Sequence, residues 1–108
     1  MGNKYHKIID EIIEFCKIVK VDDISTVYIG ITKDPKRRLF DEHKITDEGY
    51  WWIYCDATDV ETARAVELHF LRMGMKGAPG GGDDETKFVY SFVKKQHPKN
   101  AFVNFIYQ

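Results

Sequence analysis

Three side chains in this 108-residue chain have types and spacings suited to phosphate chemistry. Tyr28 and Gly30 sit in VYIGIT (27–32), and Arg38 follows ten residues after Tyr28, just past Asp34-Pro35. A glycine beside a tyrosine leaves a bare patch on a strand, which another group can approach closely. A phenol and a guanidinium that converge there could position and polarise a phosphate. The same residues also suit a half-buried tyrosine and solvated arginines, so the segment alone leaves both readings open. Glu67 is the third side chain. On a helical wheel Val60, Ala63, Val66, Phe70, Met73 and Gly74 share one arc, and Glu67 falls inside it. A carboxylate is almost never buried without a partner. Glu67 therefore needs a cation, a hydrogen-bond network or an opening to solvent. An arginine partner makes it structural; a divalent cation makes it hydrolytic.

The elements that must position these residues follow from periodicity. Residues 4–20 read as an amphipathic helix, with Tyr5, Ile8, Ile9, Ile12, Ile13, Cys16 and Val19 on the apolar side. Residues 24–32 alternate as a strand, with Val27, Ile29 and Ile31 facing one way and Tyr28, Gly30 and Thr32 the other. Asp34-Pro35 is a helix start, and a short helix to about His43 follows. TDEG (46–49) is a turn, and YWWIYCDA (50–57) a second strand. Thr58 and Glu61 match a capping box for a helix that stops at Gly74. GAPGGGDDE (77–85) is a flexible loop and the one plausible hinge. FVYSFVK (88–94) is a third strand, and AFVNFIY (101–107) a fourth strand or extended tail. Trp51, Trp52 and Tyr54 can stack on bases, but aromatics on a central strand more often form core.

The motif around Tyr28 resembles the GIY-YIG nuclease superfamily. Tyr28-Ile29-Gly30 stands as the second half of its name motif, and Thr32, Asp34-Pro35 and Arg37-Arg38-Leu39 follow as in the family. Ala63-Arg64-Ala65-Val66-Glu67 is similar to the A-x-x-x-E helix that supplies the family's metal-binding glutamate. The resemblance covers residues 26–74. The length supports one domain over 1–108, and the resemblance implies an α/β fold with a small, mainly antiparallel sheet and flanking helices. It also implies divalent-metal-dependent hydrolysis of DNA phosphodiesters. Glu67 would hold Mg²⁺ or Mn²⁺, Arg38 would stabilise charge on the scissile phosphate, and Tyr28 would orient or deprotonate the attacking water. One carboxylate suffices for Mg²⁺, which keeps several waters and borrows substrate oxygens.

The chain departs from the pattern in three places. The GIY half is missing ten residues before Tyr28, where Lys17-Ile18-Val19 lies in the predicted helix. A strand from residues 86–108 would then replace it, with Tyr90 as the second tyrosine and Tyr107 as the rival. The family's histidine four residues after the arginine is Glu42 here. His43 comes one position later, about 100° around an α-helix, and is either a base at the site or a surface histidine. The family's late asparagine has two candidates, Asn100 and Asn104.

The net charge of −1 excludes a protein that coats nucleic acid by bulk charge. It conceals a basic excess in residues 1–40, an acidic middle and a basic tail. Arg37, Lys94 and Lys95 are the expected phosphate-backbone contacts, with His97 and Lys99 beside them. DNA, including branched or otherwise structured DNA, is the expected partner, with a protein partner or self-association also open. The competing reading is a non-catalytic nucleic-acid or protein-binding module on the same fold; RNA is a weaker substrate. Two scattered cysteines form no disulfide framework, and the four histidines have no zinc-ligand spacing. No apolar run or leader pattern is present, so the expected location is intracellular, without a membrane contact.

Overall fold

A computed structural model describes residues 2–45, 50–78, 82–96 and 105–107. Its centre is a four-stranded sheet in the order β1-β3-β2-β4, with β1 Val27–Thr32, β2 Tyr50–Asp56, β3 Phe88–Gln96 and β4 Phe105–Tyr107. The first three strands are antiparallel, and β4 lies parallel to the far edge of β2. This is the expected α/β architecture with a small, mainly antiparallel sheet. The late strand β3 sits between β1 and β2, with Gly30 directly opposite Tyr90.

Strand alternation sends the two sheet faces to different partners. Val27, Ile29, Ile31, Trp51, Ile53, Cys55, Val89 and Val93 form a core with α1 (Gly2–Val19) and α2 (Val60–Met73). On α1 the buried stripe runs through Ile8, Ile12, Phe15 and Val19, so Phe15 belongs to it while Ile13 and Cys16 lie at its margin. The opposite face carries Trp52, Tyr54, Tyr90 and Phe92 under Leu39 and Ile45. Trp52 and Tyr54 are thus core residues and are not exposed for base stacking. Lys76 adds a short parallel bridge outside β1: its N–H donates to Val27 O, and its carbonyl accepts from Ile29 N at 2.8 Å.

Several local expectations are corrected. Ile24–Thr26 is a 3₁₀ turn, not strand, because the Asp23 carboxylate accepts from Ser25 N and starts a tight turn. The capping box at Thr58 is replaced by Asp59, which accepts from Thr62 N at 2.7 Å, while Thr58 takes the left-handed conformation before it. Gly74, at φ 111°, ends α2 as expected. Met73 is 46% exposed and leaves the buried arc of α2. Among the described residues both cysteines are free thiols, and no helix is long and apolar enough to cross a membrane.

Candidate active site

A cleft of about 530 Å³ opens beside β1, lined by Tyr28, Gly30, Lys33, Arg37, Arg38, Glu67 and Tyr90 among others. Four elements therefore deliver the residues that sequence spacing singled out. Tyr28 and Gly30 come from β1, the arginines from the helical segment behind it, Glu67 from α2 and Tyr90 from β3.

The bare patch at Gly30 is occupied by a specific ring. A Cβ added there would lie 2.5 Å from both Cζ and the hydroxyl of Tyr90. Only glycine lets the Tyr90 ring lie across β1 and bring its hydroxyl beside Tyr28, with the two rings stacked at 6.0 Å. Tyr90 is thus the tyrosine that β3 places in the cleft. Tyr107 belongs to β4, which β3 and β2 separate from β1. Burial and then the neighbouring Tyr28 push the Tyr90 phenol above its usual pKa, with Arg38 acting in the opposite direction. Tyr90 keeps its proton at neutral pH.

Thr32 ends β1 and turns the chain into the arginine segment. Its Oγ1 accepts from Asp34 N at 3.1 Å, and Asp34 Oδ1 then accepts from Arg37 N at 3.2 Å. The segment Arg37–Glu42 is a π turn, not the expected α-helix, and His43 N donates to Arg38 O at 3.0 Å. The i→i+5 hydrogen bond of a π turn absorbs one extra residue per turn. His43 consequently occupies the place that the fourth residue after Arg38 would take in an α-helix. The 100° offset disappears. His43 Nε2 forms a 2.9 Å hydrogen bond with the Tyr90 hydroxyl, and its ring lies 4.7 Å from that of Tyr28. Burial, then Arg38, lowers the His43 pKa, with Glu42 opposing and Lys94 adding to the shift. The imidazole is neutral at pH 7.

Glu67 is 4% exposed. Its carboxylate makes no hydrogen bond or ion pair with any described residue, yet its oxygens are not sealed from the cleft. Burial raises its pKa to about 7, against the pull of Arg64. Arg64 reaches the Gly82 carbonyl at 3.4 Å, and no Glu67–Arg64 or Glu67–Arg72 ion pair occurs among the described residues. A buried carboxylate that lines the cleft and makes no ion pair with any described residue fits a hard divalent ion held by one protein oxygen. Among the described residues no cluster of three or more His, Cys, Asp or Glu could form a fuller protein cage.

The Gly-rich loop contributes more than its composition suggested. Gly82, Asp83 and Thr86 line the cleft. Asp83 Oδ1 accepts from Glu85 N at 2.9 Å, and Thr86 Oγ1 accepts from Asp83 N, so a hydrogen-bonded turn shapes this rim. The sequence signal was present in Asp83-Asp84-Glu85-Thr86, a turn-forming run hidden by its glycines. Lys33 was not anticipated because strand ends often carry a solvated lysine. Lys94 is exposed on β3 close enough to act on His43, and Arg37 is exposed at the cleft rim. The side chain of Lys95, and His97, Lys99, Asn100 and Asn104, lie outside the described residues. Compared with protein-family models, curated proteins and solved structures, this chain matches none of them, and the family resemblance rests on its own residues.

Proposed function

We propose that this protein is a small divalent-metal-dependent endonuclease that hydrolyses DNA phosphodiester bonds, on a site of the GIY-YIG type. The observation that carries the reading is Glu67: a buried carboxylate without an internal partner, facing the same cleft as Arg38, Tyr28 and Tyr90. Order along the chain is rearranged, and the late strand β3 supplies the second tyrosine.

Glu67 would hold Mg²⁺ or Mn²⁺, which when bound supplies positive charge to the phosphate oxygens. Arg38 and Arg37 bind the phosphodiester and stabilise its developing negative charge. Tyr90, kept protonated by burial, donates its hydroxyl hydrogen bond into the cleft or to His43. Tyr28 is half-buried at the cleft wall, where it orients the attacking water. With its proton on Nδ1, neutral His43 accepts at Nε2 from the Tyr90 hydroxyl and so has capacity to take a proton that reaches Tyr90. The cation, the guanidinium and the proton acceptor together answer the three needs of in-line water attack on a phosphodiester.

The test is incubation of purified protein with a panel of linear, supercoiled and branched DNA in Mg²⁺ or Mn²⁺. Cut or nicked products that disappear with EDTA are expected. Salt-sensitive DNA binding with no cutting across the panel would favour the non-catalytic binding module instead.

A further inference from the structure

Arg38 Nε is a buried donor with no hydrogen-bond acceptor among the described residues. The nearest anion is Glu42, whose Oε2 lies 3.4 Å from Arg38 Nε and 3.4 Å from Arg37 Nη2. Charge-assisted N–H···O bonds close at about 2.7–2.9 Å, so these are attractions without formed bonds. One carboxylate oxygen is shared by two guanidiniums, and both guanidiniums line the cleft. The π turn makes the sharing possible. Five residues separate Arg37 from Glu42, close to one turn in this geometry but about 140° out of phase in an α-helix.

We propose that Glu42 is a displaceable stand-in for the substrate phosphate. It occupies Arg37 and Arg38 in the free protein, yields both to a phosphodiester oxygen, and so sets the affinity of the cleft for anions. Glu42 is therefore a positioning residue that acts through the arginines. Its side chain is 45% exposed and can swing into water, as a displaceable group must. A carboxylate offers the same acceptor chemistry as a phosphate oxygen, and because both Glu42 contacts stay at 3.4 Å, a phosphate oxygen that closes to hydrogen-bond length on the guanidiniums displaces it. This proposal rests on the phosphodiester reading of the cleft, and its consequence is the opposite of a structural strut: removing the Glu42 charge strengthens anion binding.

The test titrates metal-free, ¹⁵N-labelled protein with inorganic phosphate while following the Arg37 and Arg38 Nε–H signals. Glu42→Gln and Glu42→Ala are expected to bind phosphate about three- to tenfold tighter than wild type, the size of releasing two exposed ion pairs. Adding Arg38→Ala to Glu42→Gln is expected to remove the gain. Equal or weaker binding by both Glu42 variants overturns the proposal, as does the absence of any Arg38 signal shift in wild type and both Glu42 single variants. The amide spectrum of each variant reports its fold in the same experiment. Because the titration contains no metal and reads no cleavage, it fails or succeeds separately from the nuclease assignment, which DNA cutting decides.

Discussion

A carboxyl group that releases its proton only near pH 7 is held by a fold that resists its charge, and Glu67 is such a group. The unfolded chain releases this proton near 4.5 and the native protein near 7. Between those values the native state holds a proton that the unfolded state has lost, so this contribution to stability falls as pH rises. Glu67→Gln is therefore expected to be more stable than wild type above pH 7, by about 1–3 kcal/mol, with cleft water reducing the upper figure. The difference should vanish below about pH 4.5, where both side chains are neutral. Urea unfolding at pH 8 and pH 4 measures both limits. At Gly30 the constraint is steric. The rigid Tyr90 ring is pinned by His43, so Gly30→Ala must move it or the strand. A loss of about 1–3 kcal/mol is expected, together with loss of the His43–Tyr90 hydrogen bond in the imidazole NMR signals.

At the scale of elements, the strands and α2 were legible because their periods are strong. Val27, Ile29 and Ile31 do face the helices, and Gly74 does end α2. The π turn was not legible. Hydrophobic periodicity over six residues cannot separate 3.6 from 4.4 residues per turn, and only long-range packing of Leu39 and His43 settles it. The consequence is functional, since the turn alone rephases His43 onto Tyr90. Deleting Asp41 shortens the segment by one residue and lets an α-helical turn present the histidine in the same place. This deletion is expected to keep cutting near the wild-type rate. Exchanging the residues at 42 and 43 instead turns the histidine away and is expected to lower the rate about 10²-fold, with unchanged circular dichroism. The 77–85 loop illustrates a different limit. Its glycines signalled flexibility, while the Asp83–Thr86 hydrogen bonds that shape the cleft rim depend on which backbone groups face each other.

Over the whole molecule, the pattern of residue types indicated an α/β domain, but not that the last long strand would sit in the middle of the sheet. Strand order is set by which apolar faces meet, and pairing across sixty residues leaves no local trace. The sequence leaves Tyr90 and Tyr107 as rivals, and the Gly30–Tyr90 register is what brings Tyr90 to the site. The near-neutral charge also acts globally. Lys33, Arg37 and Arg38 are the basic side chains lining the cleft, facing the acidic Asp83 rim. Binding to duplex DNA should therefore fall only gently with salt, with a log–log slope of about −3. Fluorescence anisotropy across a salt series measures it, and a slope near −8 would place an extensive basic surface outside this cleft. The most direct measurement is DNA cutting by wild type and Glu67→Ala, purified in parallel and assayed with Mg²⁺ and Mn²⁺. The account predicts metal-dependent cutting by wild type and none by Glu67→Ala; equal cutting by the two would contradict it.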